Sequence, residues 1–396
     1  SLIAIHQHEI PDHFPNNVIL DAEAAKPVEL GKRTDLRDLP LFTIDPSDAR
    51  DHDDAICAIP DDDVNNKDGH IVWVAIADVA HYVRPGTSLD AEARKRGNSS
   101  YFPDRVVPML PDALSGDLCS LHEGVDRACM AVRIKLSNKG IKLGHEFHRG
   151  LMRSPASLSY EQAQAAFDGR YDEATRPLAG ALSNLFFAYQ SSIRAREERQ
   201  PLNLDLPERK IILSEEGAVL SIDFRTRFDA HKLVEEFMVT ANVCAAETLE
   251  AKDKNLLYRV HEEPSPEKLE GLREVAEASG LELAKGQVLK TQHLNKLLAA
   301  AENTEDSEII NMTVLRCMAQ AYYAPNNFGH FGLNLRRYAH FTSPIRRYAD
   351  LIVHRALVSV HDFGDDGLSS EEEAVLKETG EWISTTERRS MLAERD

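Results

Sequence analysis

Basic residues are in short supply in this chain: 46 Lys and Arg stand against 65 Asp and Glu, for a net charge of −19. Phosphate binding is driven by Lys and Arg, so the balance excludes a broadly basic nucleic-acid surface, although not a basic interior groove. Cysteine is also scarce. The five residues Cys57, Cys119, Cys129, Cys244 and Cys317 are scattered, odd in number and free of any CxxC pair, which excludes a disulfide framework and a Cys-based zinc site. They are expected as reduced, buried small hydrophobes. No apolar run reaches the roughly 18 to 20 residues of a membrane span, and the N-terminus SLIAIHQHEIPDHF has neither a basic n-region nor an apolar h-region. A cytoplasmic protein with no membrane partner is expected. Internal repeats and low-complexity tracts are missing too.

What is present is an ordinary globular composition, 42% apolar and 28% charged over 396 residues. That length suits one large domain with flanking pieces, or two domains. The chain starts at Ser1 without Met and ends at AERD within a helical pattern, which suggests a piece of a longer protein. Residues 1–40 carry Pro11, Pro15, Pro27 and Pro40 and read as an irregular lead-in with at most a short helix. LFTID then reads as a strand. AICAIP and HIVWVAIADVAHYV flank the turn-rich DDDVNNKDG as a hairpin, and ACMAVRIKLS and IKLGHEFHRG form another around Asn138-Lys139-Gly140. Helical periodicity follows. Leu178, Leu182, Leu185, Phe186, Tyr189 and Ile193 mark a long amphipathic helix ending at Arg194, Arg196 and Arg199. Further helices are expected over 229–252, 265–279, 306–323, 344–361 and 370–394, the last opened by a capping box from Ser370 to Glu373. Strands first and helices later predict an α+β domain over 41–396 rather than a doubly wound sheet.

One segment stands out. In TIDPSDARDHDDA, residues 43–55, five of thirteen residues are aspartate: Asp45, Asp48, Asp51, Asp53 and Asp54. Crowded carboxylates repel and raise one another's pKa unless a cation gathers them. A solvated acidic loop is the plainest explanation and suits the neighbouring Asp61-Asp62-Asp63, but here LFTI and AICAI bracket the cluster closely. An EF-hand fails, because position six is Arg50 instead of Gly and position twelve is Ile56 instead of Glu. A magnesium site for phosphoryl chemistry remains, since Mg²⁺ takes carboxylates, water and phosphate oxygens, and paired ions clamp an in-line displacement. His52 inside the cluster reads as a loop residue without a catalytic role. HEFH, residues 145–148, lacks the HExxH spacing and alternates like a strand, so no zinc protease is indicated.

In HFGLNLRRYAHFTSPIRRYADLIVHR, Ser343 suits an N-cap and Pro344 a first helical residue. Arg346 and Arg347 would then sit in the first turn, where the macrodipole disfavours cations by about 0.3–1 kcal/mol. An Arg346–Asp350 pair at i,i+4 is worth roughly 0.2–0.5 kcal/mol, too little to offset that placement, so an anion is expected. Helix-start amides with guanidiniums make a phosphate cradle. EARKRGNSSYFPDR interleaves Arg94, Lys95, Arg96 and Arg105 with Tyr101 and Phe102, a mix suited either to single-stranded nucleic acid or to a solvated helix end followed by core aromatics.

These stretches, together with VAIADVAHYVRPGTSLDAEARKRGNSSYFPDRVVPMLP, LVEEFMVTANV and YRVHEEPSPEKL, resemble the catalytic domain of the RNB exoribonucleases, the family of ribonucleases II and R, with the closer likeness to ribonuclease R. The resemblance runs in family order over roughly residues 41–360. It implies a twisted, mostly antiparallel sheet core at the N-terminal side, wrapped by helices around an interior RNA channel. It also implies a monomeric enzyme that degrades single-stranded RNA processively from the 3′ end to nucleoside 5′-monophosphates, using two Mg²⁺ ions. By the resemblance, Asp45, Asp51, Asp53 and Asp54 are the metal-binding and catalytic residues, and Asp48 lies outside the set. Arg346 grips the scissile phosphate with Arg347 beside it, Tyr101 stacks on the 3′-terminal base, and Glu235 or Glu236, with Glu236 favoured, contacts the terminal ribose. The family's phenylalanine opposite that tyrosine has no counterpart in QPLNLDLPERK, where Leu204 stands nearest. Flanking OB-type RNA-binding domains are not visible in the chain. A catalytically silent RNA-binding relative and a metal-dependent DNA exonuclease are the alternatives; all four aspartates speak against the first and the resemblance against the second.

Overall fold

The structure is a computed structural model that describes residues 1–204, 206–214 and 217–396. Its centre is a five-stranded sheet in the order Thr34–Asp35, Lys142–Arg153, Asp126–Leu136, His70–Ala77 and Asp54–Pro60. All pairings are antiparallel except the short Thr34–Asp35 edge. The expected hairpins form in register, Asp54–Pro60 against His70–Ala77 and Asp126–Leu136 against Lys142–Arg153. Ile71, Val72, Val74 and Ile76 are all buried, so both faces of this strand are covered. Each such side chain contributes about 1.5–3 kcal/mol relative to exposure. The long helix Ala179–Arg199 packs on the Asp54–Pro60 strand through Leu182, Leu185 and Tyr189. Helices Asp229–Ala251 and Tyr348–His361 pack on one another beside it. This mixed α+β architecture is the one the sequence pattern implied.

The first forty residues hold more order than a lead-in. Two helices, Leu2–Gln7 and Asn16–Glu23, precede the Thr34–Asp35 strand. A separate core gathers Leu272, Leu294, Leu297, Ile310 and Val314 from helices Pro266–Ala278, Thr291–Ala301 and Ser307–Cys317. All five cysteines are buried and free. Among the described residues no helix is long and apolar enough to cross a membrane.

Three helix boundaries differ from expectation. The 306–323 helix ends at Cys317, and Tyr322–Ala324 becomes a strand paired with Tyr258–Val260, where its tyrosines pack beneath the C-terminal helix. The last helix is two: Ser370–Ala374, then Leu376–Arg395. Its capping box is Ser369 with Glu372, one residue earlier than expected, and Glu372 also reaches the buried Arg355. The third difference bears on the site. The helix expected over 344–361 starts at Tyr348: Ser343 opens only a single turn, its carbonyl accepting the Arg347 N–H (3.0 Å), and the chain beyond it is held by other groups. Asp53 Oδ1 accepts the Ile345 N–H (3.0 Å), Asp350 Oδ2 accepts the Ser343 N–H (2.7 Å), and the Gly97 carbonyl accepts the Tyr348 N–H (2.9 Å). Arg347 is extended, at φ −137° and ψ 123°.

Candidate active site

A short parallel pairing sets the floor of the site. Strand Thr43–Asp45 lies along Ser157–Ser159, with Asp45 opposite Ser159, and the aspartate loop leaves from its end. The loop returns into the sheet at Asp54, opposite Ile76, while the Asp53 carbonyl accepts the Ala77 N–H at 2.8 Å. Two sheet anchors therefore hold a loop that charge repulsion alone would splay. The Ile345 bond to Asp53 then ties it to the arginine turn.

The result is a cavity of about 840 Å³ lined by Asp45, Asp51, Asp53, Asp54, Tyr101 and Arg346. Six side chains that the sequence nominated from three distant stretches thus meet. Asp48 is at the same cavity but exposed. Burial pushes the Asp51, Asp53 and Asp54 carboxyls up from their ordinary range. Arg346 opposes that rise in all three, and neighbouring carboxylates add to it, Asp45 acting on both Asp51 and Asp54. The lining sets Asp45, Asp48, Asp51, Asp53, Asp54 and Asp112 against Arg50, Arg225 and Arg346, an excess of acidic groups that favours a cation. Arg346 itself donates to the Ser343 hydroxyl at 3.1 Å.

Other nominated residues lie elsewhere. Arg347 is bonded to the fully buried Asp350 (2.8 Å) and lines an adjoining smaller cavity with Arg259, Tyr323 and His340. The i,i+4 pair of Arg346 with Asp350 is thereby replaced by an i,i+3 pair of Arg347. Glu236 is buried between Arg199 (3.4 Å) and Arg196 (3.6 Å), and Glu235 is exposed and paired with Arg227; neither lines the aspartate cavity. Of the charged and aromatic residues in EARKRGNSSYFPDR, Tyr101 alone lines that cavity, 40% exposed, with Ser99 beside it. Arg96 is buried on Glu92 and over the Phe14 ring, Arg94 bonds Thr379, and Phe102 joins a small cluster with Ile5, Ile10 and Ala393. The mixture of charge and rings in that stretch mostly holds helices together. Leu204 packs on the three-helix core.

No sequence pattern marks Tyr160 or Arg225 as site residues. Both line the cavity. Tyr160 is the first helical residue after the Ser159 N-cap, at the end of Asp45's partner strand, and stacks on His231 at 3.9 Å. Its place depends on a pairing between remote segments, which no local pattern carries. Arg225 follows the Val219–Phe224 strand, whose hairpin with Arg209–Leu213 leaves Ile222 and Phe224 exposed.

Among the described residues no three His, Cys, Asp or Glu side chains converge closely enough to hold a cation unaided. The donor set nevertheless suits Mg²⁺. That ion takes one or two hard carboxylate oxygens and completes its shell with water and phosphate oxygens. A family model described as the RNB domain matches residues 33–362. The chain belongs to the RNB family. The match reaches back past residue 41 to take in the Thr34–Asp35 edge strand. Ribonuclease R of Escherichia coli K12 is 41% identical over 409 residues, covering 100% of this chain and 50% of the relative. Ribonuclease R of Vibrio cholerae is 43% identical over 362 residues, covering 90% of this chain and 44% of the relative. The chain thus spans about half the length of the curated relatives it matches. A structure of Mycoplasma genitalium RNase R in complex with ribose methylated single-stranded RNA superposes with a TM-score of 0.91 at 29% identity, over 99% of this chain and 62% of that one.

Proposed function

We propose that the chain is the catalytic domain of a 3′-to-5′ exoribonuclease that hydrolyses single-stranded RNA processively to nucleoside 5′-monophosphates. The observation that carries this is the Asp53–Ile345 bond, which ties a loop of four carboxylates to the turn that presents Arg346 in one cavity. Asp45, Asp51, Asp53 and Asp54 would hold two Mg²⁺ ions. Bound there, magnesium supplies a nucleophilic water at neutral pH and counter-charge for the departing 3′ oxygen. Water adds to the terminal phosphorus, the bond from phosphorus to the 3′ oxygen breaks, and that oxygen takes up a proton. Arg346, steadied by the Ser343 hydroxyl, grips the phosphate oxygens being transferred. Tyr101 at the cavity wall stacks on the 3′-terminal base. Arg347 acts at one remove, since its partner Asp350 holds the Ser343 N–H in place.

The test is digestion of 5′-labelled single-stranded RNA and DNA of one sequence in Mg²⁺, beside Asp53→Asn. We expect a ladder from RNA alone, ending in a short product, and a variant that binds RNA without turnover. Turnover by Asp53→Asn would sink the metal assignment, and DNA digested at the RNA rate would sink the substrate class.

A further inference from the structure

Asp53 accepts a backbone N–H, whereas Asp45 is the one aspartate of the four whose carboxylate bonds another side chain among the described residues. Its partner is His52, whose Nδ1 lies 2.7 Å from Asp45 Oδ2. A carboxylate only accepts, so Nδ1 carries the proton. The ring does not line the cavity; it stands behind the carboxylate, with the residue 8% exposed. Backbone bonds aim it. The His52 N–H donates to Ser120 Oγ (2.9 Å), that hydroxyl donates to the Arg50 carbonyl (2.8 Å), and the His52 carbonyl accepts the Leu121 N–H (3.0 Å). His122 sets its ring edge-on to His52 at 5.7 Å and is itself tied to the Gly116 carbonyl (2.7 Å). Ser115 and Gly116, in the π-helical turn Ala113–Leu118, line the cavity. One segment therefore builds a cavity wall and holds the ring that backs Asp45.

We propose that His52 is the positioning residue of Asp45: its Nδ1–H engages one carboxylate oxygen, so that the other is presented at fixed rotation to a divalent cation in the cavity. The inference rests on the proposed role of the aspartates as cation ligands. An unrestrained carboxylate rotates and can chelate through both oxygens, whereas Mg²⁺ demands near-octahedral geometry. An outer N–H on one oxygen removes that freedom, and such partners typically govern metal affinity 10- to 100-fold. A lysine or arginine at this place would also cancel charge the cation needs. A ring that merely filled space would need no donor, and phenylalanine would serve as well.

The experiment is calorimetric titration of the RNA-free protein with Mn²⁺, with RNA binding in EDTA and thermal melting as controls. His52→Phe keeps a ring without a donor, whereas the Nδ2–H of His52→Asn can stand where Nδ1–H stood. We expect His52→Phe to bind Mn²⁺ roughly 10- to 100-fold more weakly and His52→Asn to stay within about threefold of wild type, with RNA binding unchanged. Normal Mn²⁺ affinity in His52→Phe, while Asp45→Asn loses it, overturns the positioning role and leaves the metal reading intact. Equal weakening in His52→Asn and His52→Phe also overturns it, because the donor is then irrelevant. No saturable Mn²⁺ binding by the wild type overturns the metal reading itself. Should His52→Phe fail to fold, His52→Leu, smaller than the ring, is judged by the same comparison.

Discussion

Arg346 and Arg347 leave one short turn toward different partners. Arg346 meets the Ser343 hydroxyl and the field of the buried aspartates, whereas Arg347 is bonded to Asp350, a carboxylate with no exposed surface. Arg346→Ala should therefore lower kcat by several orders of magnitude while leaving the thermal midpoint near wild type; a change confined to KM would count against a grip on the scissile phosphate. Arg347→Ala should instead cost about 3–5 kcal/mol in urea unfolding, since it strands a buried charge. The aspartates divide in the same way. Asp48 is exposed and Asp53 is 6% exposed with a backbone tie. Asp48→Asn should keep wild-type turnover under conditions in which Asp53→Asn has none. Residue types and spacing marked the aspartate cluster and the arginine turn in advance, and the family resemblance singled out Asp45, Asp51, Asp53, Asp54, Tyr101 and Arg346 within them. Type and spacing could not tell Arg346 from Arg347, because what separates the two is the tertiary partner Asp350 accepts.

Among the elements, the turn before Tyr348 shows how far local signals reach. Ser343 and Pro344 do open a turn, closed by the Arg347 N–H on the Ser343 carbonyl, yet it does not run on into the helix, because the Ile345 N–H goes to Asp53, the Arg346 carbonyl to the Ser99 N–H and the Tyr348 N–H to the Gly97 carbonyl. Propensity of a few tenths of a kcal/mol yields to three tertiary hydrogen bonds. Gly97 is central to that exchange. Its φ is +74°, it closes the helix Ser88–Arg96, and a Cβ there would lie 2.0 Å from Thr386 Oγ1. Gly97→Ala should destabilise the protein by about 1–3 kcal/mol. It should also raise KM for RNA, because the Ser100–Tyr101 strand follows directly; melting and steady-state kinetics check both. A wild-type KM in a destabilised variant would show that Tyr101 does not depend on this junction.

Over the whole molecule, buried histidines tie stability to pH. Burial holds His340 and His354 below the ordinary histidine range and takes His330 down to about 3, with Arg347 and Arg259 adding to the effect on His340. A histidine whose folded pKa lies below about 6.5 leaves the folded state neutral where the unfolded chain is protonated. Its contribution is full above that pH and is lost as pH falls toward the folded value, at up to about 1.4 kcal/mol per pH unit for each group. The raised carboxyls of Asp53 and Asp54 have the opposite sign, so the comparison belongs between wild type and His340→Asn, in which that contribution cancels. The drop in unfolding free energy from pH 7.5 to 5.5 should be smaller in the variant; equal slopes would remove His340 from the account.

By itself the sequence determined the α+β layout, the two hairpins of the sheet, the long Ala179–Arg199 helix and the crowding of five aspartates between Thr43 and Ala55, because those depend on periodicity, turn residues and charge density within short windows. Tertiary structure alone decided that the helix after Ser343 starts at Tyr348, that Arg96 and Phe102 are packing residues, that Tyr160 joins the site and that His52 backs Asp45. Each of these turns on a hydrogen bond or contact between segments far apart in the chain. A backbone amide or a ring takes its partner from whatever the fold brings within about 3–4 Å, and no local pattern encodes that neighbour.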